Sequence, residues 1–126
     1  MYLAVNGNLM RGFELNKNLT AAGGQFLKET TTGPCYRLWS ISDRYPAMQR
    51  DPDNGSAIAL EIWEIDPAGL VDILVNEPSG LTIGRIELAD GSSVLGVLGE
   101  AYLAAGQIEI TAYGGWRMYR MSSQAT

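Results

Sequence analysis

The stretch Ser56–Leu74, with the sequence SAIALEIWEIDPAGLVDIL, decides the fold class of this chain. Residues 56–65 alternate between two faces, as the side chains of a β-strand do. Asp66-Pro67 then indicates the start of a helix, because aspartate is a good N-cap and proline suits the first helical position. Apolar side chains recur at helical spacing from there, which predicts a helix over 67–76. The stretch therefore predicts a strong strand followed by the main helix of the domain.

The chain on either side of this stretch consists mostly of short strand-like segments. Asp90-Gly91 is typical of a hairpin turn between two of them. Residues 43–55 contain two prolines, three aspartates and an Asn-Gly pair, which indicates a surface loop or a hairpin tip. Further strands are expected at 2–5, 35–41, 81–88, 93–98 and 108–121, and short helices at 15–22, capped by Asn16, and at 100–105. We therefore predict an α+β fold in which a curved mixed or antiparallel sheet, or a small barrel, packs on one main helix.

Two segments expose backbone where a predicted strand ends or is interrupted. Gly114 and Gly115 lie between Tyr113 and Trp116 in the last predicted strand, and Asn6-Gly7-Asn8 follows the first strand. Adjacent glycines in a strand indicate either a β-bulge or a close approach of the backbone to another group. A bulge lets Trp116 fold onto the core, whereas a close approach is typical of a cavity wall. Because both segments share this character, we predict that they border one small-molecule pocket.

Length and composition restrict the class of protein. The chain has 126 residues, of which 46% are apolar and 18% are charged, which predicts a single globular domain over 1–126. Its net charge is −5, so we expect neither nucleic acid nor an anionic membrane as a partner. No apolar run approaches the ~20 residues that span a bilayer, and the N-terminus lacks the pattern of a signal peptide. These features predict a cytoplasmic protein and leave its oligomeric state open.

The chain contains no histidine and one cysteine, Cys35. Without histidine, proton transfer in an active site depends on a carboxylate, a lysine or a tyrosine. One thiol without an imidazole provides no zinc-type or copper-type ligand set, so we expect no metal and no cofactor. Because no imidazole is available to activate Cys35 as a nucleophile, we expect a small buried side chain there.

Six segments spread over nearly the whole chain resemble one family in their order and spacing. They are Asn6–Met10, Gly12–Asn16, Thr31–Leu38, Leu81–Gly84, Glu87–Gly91 and Ile110–Tyr119. They resemble gamma-glutamyl cyclotransferase-like domains, and most closely the C-terminal domain of allophanate hydrolase, which in that enzyme is fused to an amidase domain. The resemblance implies a curved sheet or small barrel, with a cavity where the loop after the first strand meets other strand ends.

The resemblance implies two kinds of chemistry. The C-terminal domain of allophanate hydrolase is associated with decarboxylating the N-carboxycarbamate that the amidase makes, through a histidine in the first loop, where this chain has Leu9. Leucine cannot transfer a proton. Cyclotransferases use a buried glutamate after the helix that follows a central strand, and Glu77 lies nearest that place. We therefore predict Glu77 as the catalytic residue, with Glu61 on the central strand as the next carboxylate to test.

The candidate ligand-binding residues come from the two backbone-exposing segments and from two predicted strands. Arg37 and Arg117 are each suited either to hold a ligand carboxylate through a bidentate contact or to form a surface ion pair. The asparagines of the first loop either donate to a ligand oxygen or shape the turn. The complete set is Asn6, Gly7, Asn8, Leu9, Arg37, Tyr113, Gly114, Gly115, Trp116 and Arg117.

Three classes of function are compatible with these features. The first is an enzyme, with a cyclotransferase-like or lyase-like activity, that acts on a small acyl-amide or carboxylated amine, as the resemblance implies. The second is a non-catalytic module that binds a small carboxylate or amide, which the missing histidine favours. The third is an assembly protein for a separately encoded amidase, which the fused relatives suggest. The catalytic lysine and serines of the amidase belong to its other domain, so this chain is not expected to be an amidase by itself.

Overall fold

The computed structural model describes residues 1–124, which form two β-sheets and several short helices. The strands are β1 (Tyr2–Val5), β2 (Gln25–Thr31), β3 (Tyr36–Ile41), β4 (Tyr45–Arg50), β5 (Ala59–Glu64), β6 (Leu81–Glu87), β7 (Ser93–Gly99) and β8 (Ile108–Glu109). The α-helices are α1 (Asn16–Ala21), α2 (Pro67–Leu74), α3 (Ala101–Ala104) and α4 (Trp116–Gln124), and a 3₁₀ turn covers Thr111–Tyr113. No helix among these is long and apolar enough to cross a membrane.

The larger sheet has the strand order β2-β5-β1-β7-β6, and the smaller one has the order β4-β3-β8. β1 is antiparallel to β5 and parallel to β7, so the larger sheet is mixed, whereas the smaller sheet is antiparallel throughout. β1 is central, and its residues 3–5 are fully buried, which explains why this strand is apolar on both faces. These features confirm the predicted α+β fold with a curved mixed sheet.

The two sheets and three of the helices share one hydrophobic core. That core includes Leu3 from the larger sheet, Leu38 from the smaller sheet, and Leu19, Leu70 and Trp116 from α1, α2 and α4. α2 packs against this core with Leu70 and Ile73, as the apolar face of an amphipathic helix does. The shared core holds the loop after β1 close to both the smaller sheet and α4.

Of the two alternatives predicted for residues 43–55, the surface loop was wrong for residues 45–50, which form β4, whereas residues 43–44 belong to the tip of the β3–β4 hairpin. β4 pairs with β3 from Ile41↔Tyr45 to Tyr36↔Arg50 and lies at the edge of its sheet. An edge strand tolerates Pro46, because the missing N–H of proline need not face a neighbouring strand. The prolines and aspartates therefore mark the ends of a hairpin rather than an unstructured segment.

The predicted last strand over 108–121 was also wrong. Only β8 is a strand there, and it is followed by the 3₁₀ turn and by α4. Gly114 ends the turn with a φ of 78°, a left-handed conformation that favours glycine. The carbonyl of Gly114 accepts a hydrogen bond from the N–H of Ala59 (2.8 Å), and a Cβ on Gly115 would lie 3.1 Å from Cβ of Ala59. The glycines thus bring the backbone against β5 at a helix start, and they form no bulge within a strand.

Two smaller expectations also changed. Leu15 occupies the N-cap position of α1, and no side chain caps that helix. Cys35 is half-buried, and its thiol donates to a carboxylate oxygen of Glu87 (3.2 Å). Burial, followed by this contact, raises the pKa of the Cys35 thiol, which keeps it in the poorly nucleophilic protonated form.

Candidate functional site

A cavity of about 800 Å³ opens where the first loop, residues 6–15 between β1 and α1, meets other parts of the fold. Its remaining walls are the β3–β4 turn (residues 42–44) with the start of β4, residues 77–78 after α2, side chains of β6 and β7, and α4. A cavity of this volume accommodates a metabolite-sized ligand. Its walls combine apolar side chains with several charged ones, so it is suited to a small polar molecule.

The structure brings most of the predicted site residues together. Asn6, Gly7, Asn8, Leu9, Glu77, Trp116 and Arg117 line this cavity. Arg37, Tyr113, Gly114 and Gly115 do not line it. The C-terminal segment therefore contributes to the cavity through the first turn of α4 rather than through the glycine pair.

Asn8 joins three walls of the cavity through its side-chain amide. Its Nδ2 donates to the carbonyl of Arg44 in the β3–β4 turn (2.8 Å), and its Oδ1 accepts a hydrogen bond from Nε1 of Trp116 in α4 (3.0 Å). Both ends of the amide are thus used within the protein. The side chain fixes the positions of the turn and of α4 relative to the first loop.

Three further residues of the first loop line the cavity and are held in place by the surrounding structure. Nδ2 of Asn6, which is buried, donates to the carbonyl of Val97 on β7 (3.0 Å). A Cβ on Gly7 would lie 2.7 Å from Cδ of Pro46, so a larger residue would displace β4. Leu9 is only 6% exposed, and its carbonyl accepts a hydrogen bond from Nδ2 of Asn16 (2.8 Å). Leu9 contributes packing to the cavity wall, and its side chain has no group that transfers a proton.

Glu77 follows α2 and is half-buried at the cavity wall. Its backbone N–H donates to the carbonyl of Leu74, but within residues 1–124 its carboxyl group makes no hydrogen bond or ion pair. Desolvation by burial raises the pKa of this carboxyl above its ordinary value. A carboxyl that is accessible from a cavity and holds its proton more tightly than usual is suited to acid–base chemistry.

Arg44 and Tyr45 line the cavity but are not among the residues predicted from the sequence, which indicates only a surface loop or a hairpin tip over 43–55. Tyr45 is half-buried, and desolvation, followed by the charge of Tyr102, raises the pKa of its hydroxyl; the charge of Glu77 acts in the same direction. The hydroxyl therefore remains a hydrogen-bond donor at neutral pH. The Ser-Asp pair at 42–43, two residue types that favour turns, is the sequence signal that points to this edge of the cavity.

The three arginines that line the cavity differ in their partners. Arg117 donates to a carboxylate oxygen of Glu61 (3.0 Å) and to the carbonyl of Arg11 (2.8 Å). Arg120 forms an ion pair with Asp43 (3.3 Å). The guanidinium of Arg44 has no hydrogen-bond or ion-pair partner in the part of the chain that the structure describes, and Arg44 is exposed. Arg44 alone therefore offers an uncommitted positive charge to the cavity.

Glu61 is a buried carboxylate with four donors. Its Oε1 accepts hydrogen bonds from the N–H of Arg11 and from Nε1 of Trp63 (both 3.0 Å), and its Oε2 accepts from Nε of Arg11 (3.3 Å) and from Arg117. It does not line the cavity. Glu61 thus links β5 to the first loop and to α4, and this arrangement indicates a structural role.

Arg37 lies on the smaller sheet, away from the cavity. Its guanidinium forms ion pairs with Glu109 on β8 (2.6 Å) and with Asp51 (3.2 Å). The hydrogen bond from Arg37, together with one from Thr111, lowers the pKa of Glu109 to about 2. Of the two uses that the sequence left open for Arg37, the structure shows the ion pair.

The described residues contain no group of three or more acidic or cysteine side chains arranged to hold a metal ion. Three of the groups that line the cavity are suited to contact a small polar ligand. These are the Glu77 carboxyl, the Tyr45 hydroxyl and the Arg44 guanidinium.

Comparison with solved structures places this architecture among known folds. A uropathogenic E. coli-specific protein is 53% identical in sequence and superposes with a TM-score of 0.93, over 95% of this chain and 94% of the other. An allophanate hydrolase from Kluyveromyces lactis is 27% identical with a TM-score of 0.91, over 97% of this chain and 21% of that protein. An AIG2-like protein from Mus musculus, 22% identical with a TM-score of 0.64, covers 83% of this chain and 79% of its own length, and it shares the fold. The fold is therefore gamma-glutamyl cyclotransferase-like.

Sequence comparison identifies the family. Urea amidolyase from Saccharomyces cerevisiae is 32% identical over 93% of this chain, which spans 7% of the length of that relative. The family model of the allophanate hydrolase C-terminal domain matches residues 1–121. The chain therefore belongs to the family of allophanate hydrolase C-terminal domains.

Proposed function

We propose that this domain is a small-molecule enzyme of the gamma-glutamyl cyclotransferase-like class that acts on a small acyl-amide or carboxylated amine. The observation that carries the proposal is the carboxyl group of Glu77, which lines the cavity, is half-buried and makes no hydrogen bond within residues 1–124. A general acid or base must be reachable by the substrate and free to exchange a proton. Glu77 meets both conditions.

In the proposed mechanism, Glu77 takes the proton from the attacking amine as its nitrogen bonds to the acyl carbon, and returns that proton to the leaving amine as the original C–N bond breaks. A carboxyl whose pKa is raised by burial takes up a proton more readily than an exposed one, which suits it to accept the proton of an amine. The neighbouring Tyr45 hydroxyl, which remains protonated, donates a hydrogen bond to the substrate carbonyl oxygen as negative charge develops there. No step of this scheme requires the histidine that Leu9 replaces.

The proposal is tested by turnover. The protein is incubated with a panel of gamma-glutamyl amines and N-carboxylated amines, and the products are followed by NMR. We expect turnover that falls by about a hundredfold or more in Glu77→Gln, because general acid–base catalysis contributes ~10²–10⁴-fold. Glu64→Gln, which alters an exposed carboxylate on β5, is the matched control and should retain the parent rate. Turnover that survives in Glu77→Gln would show that this carboxyl is not the acid–base residue.

A second candidate function is a non-catalytic module that binds the same kind of ligand, or that assembles with a separately encoded amidase. It is favoured by the buried Leu9 at the position where the family is expected to have a histidine. The length of the relatives supports it too, because this chain corresponds to 7% of urea amidolyase from Saccharomyces cerevisiae. Ligand binding without any turnover would favour this candidate.

The relationship to a urea amidolyase also supports a wider proposal about the cellular role. We propose that the domain acts in nitrogen metabolism, in the cytoplasm, as one unit over residues 1–126. Deletion of the gene should then impair growth on urea-derived nitrogen sources and leave growth on ammonium unchanged.

A further inference from the structure

We propose that Arg44 binds a carboxylate group of the ligand, so that the cavity selects small N-acyl amino acids, which carry one carboxylate near an amide. The inference rests on the proposed function in one respect only, since it assigns the ligand class of the same cavity. It does not depend on whether Glu77 catalyses a reaction.

The first argument is the charge balance of the cavity. Arg117 and Arg120 are neutralised by Glu61 and Asp43, at 3.0 and 3.3 Å. Arg44 has no such partner within residues 1–124, and a free guanidinium is the best protein group for binding a planar carboxylate through two parallel hydrogen bonds. One free cation matches one carboxylate. A phosphate dianion would lack a second cation and would also face the carboxylates of Glu14 and Glu77, which line the same cavity.

The second argument is the conformation of the turn that presents Arg44. Ser42 and Asp43 have φ values of 52° and 59°, which non-glycine residues rarely adopt. A tight hairpin turn requires such conformations, and they persist here because the surroundings hold them. The N–H of Ser42 donates to Oε1 of Gln107 (2.9 Å), and the hydroxyl of Tyr119 donates to Oδ1 of Asp43 (2.7 Å).

The backbone of Arg44 itself is held from two sides. Its carbonyl accepts from Asn8, and its N–H donates to the carbonyl of Ile41 (2.9 Å). The backbone is therefore fixed while the side chain stays free. This arrangement is expected of a preorganised binding residue, because the backbone loses little conformational freedom when a ligand binds.

The third argument is the set of groups next to Arg44. Tyr45 follows it in the chain, and both residues line the cavity together with Glu77. A ligand whose carboxylate contacts Arg44 would therefore have the Tyr45 hydroxyl and the Glu77 carboxyl available in the same cavity for its amide. One molecule with a carboxylate and an amide satisfies all three groups.

The test measures binding of matched probes by NMR titration of backbone amides. The probes are N-acetylglycine and N-acetyl-β-alanine, each compared with its neutral carboxamide and with inorganic phosphate. In the parent protein we expect the carboxylates to cause saturable shifts in the first loop and the β3–β4 turn, with at least tenfold weaker binding of the carboxamides. Arg44→Ala should bind both probe types equally weakly, because the charge-assisted contact is lost.

Arg85→Ala provides the matched control. Arg85 is an exposed arginine on β6 that has no ion-pair partner among the described residues and does not line the cavity, so its removal changes the net charge equally. The Arg85→Ala variant should bind the carboxylate probes with the same affinity as the parent protein. Arg44→Lys, which keeps the charge but loses the planar fork, should bind the carboxylates with intermediate affinity.

Three results would overturn the inference. They are equal binding of carboxylates and carboxamides by the parent, parent-like carboxylate affinity in Arg44→Ala, and tighter binding of phosphate than of either carboxylate. Glu77-dependent turnover of neutral amides alongside such a result would leave the proposed function standing. Conversely, Arg44-dependent carboxylate binding without any turnover would retain the ligand class and favour the non-catalytic module.

Discussion

At the scale of single residues, the side chain of Asn8 links the first loop to two other walls of the cavity. Its amide accepts from Trp116 and donates to the Arg44 carbonyl. Asn8→Ala should destabilise the fold by about 1–3 kcal/mol, because it leaves the buried indole N–H of Trp116 without an acceptor. Urea unfolding measures this, with Asn76→Ala as the control, since Asn76 makes one exposed hydrogen bond to Asp72. Equal stability of the two variants would show that the hydrogen bonds of the Asn8 side chain do not stabilise the fold.

Glu77 should impair stability at neutral pH. Burial raises its folded-state pKa. The protonated carboxyl therefore contributes stability that is fully present below the unfolded-state pKa of about 4.3. This contribution is lost as the pH rises through the folded-state pKa and the carboxyl ionises. Glu77→Gln is expected to raise Tm at pH 7 and to leave it unchanged below about pH 4, whereas Glu64→Gln should change neither value. A lower Tm for Glu77→Gln at pH 7 would mean that the ionised carboxylate has a stabilising partner.

At the scale of secondary structure, the elements with strong local signals were predictable. β1, β5, α2 and the β6–β7 hairpin follow from apolar alternation, a helix start and an Asp-Gly turn. β4 was missed because proline usually argues against a strand, and Pro46 is tolerated only by virtue of the edge position of β4. The start of α4 was read as a strand because Trp116 and its aromatic neighbours favour strands locally, whereas packing of Trp116 into the core selects the helix.

The ion pair between β3 and β8 gives a prediction at this scale. Arg37 lowers the pKa of Glu109 to about 2. The associated stability is present above the unfolded-state pKa of about 4.3 and is lost as the pH falls toward 2. Arg37→Ala should therefore destabilise the protein at pH 7 more than at pH 2.5, by an amount that high salt reduces, because both side chains are about one-third exposed.

Unfolding of Arg37→Ala at the two pH values, with Arg85→Ala as the control, checks this expectation. Binding of N-acetylglycine should be unaffected in Arg37→Ala, because Arg37 does not line the cavity. An equal loss of stability at both pH values would mean that the side chain of Arg37 acts through packing rather than through its charge.

At the scale of the whole molecule, Glu61 on β5 of the larger sheet is connected by hydrogen bonds to two walls of the cavity, to the first loop through Arg11 and to α4 through Arg117. Glu61→Gln should cost about 1–3 kcal/mol, because a neutral amide cannot accept all four of the hydrogen bonds that the buried carboxylate accepts. It should also shift the NMR signals of α4 and of the first loop together. A stability within about 0.5 kcal/mol of Glu64→Gln, as is typical of surface substitutions, would contradict this role.

The cavity as a whole was only partly predictable. The first loop, Glu77 and Trp116 were placed in it from the sequence, because strand ends, the lack of histidine and the family resemblance each point there. Arg44 was not placed in the cavity from the sequence. Its position depends on the pairing of β3 with β4 and on how this hairpin packs against the first loop. Arg37 was assigned a ligand because its strand carries a family-like segment, but its partners Glu109 and Asp51 come from distant parts of the chain.

The central claim, that Glu77 and a ligand carboxylate held by Arg44 share one cavity, is tested most directly by a titration of the Glu77 carboxyl carbon. The measurement is made by ¹³C NMR with and without N-acetyl-β-alanine, and the signal is assigned with Glu77→Gln. We predict a pKa above the ordinary value of about 4.3 in the free protein, and a further rise when the probe is bound, because its negative charge disfavours ionisation of Glu77. The rise should be absent in Arg44→Ala. A Glu77 pKa in the ordinary range that the probe leaves unchanged would contradict the account.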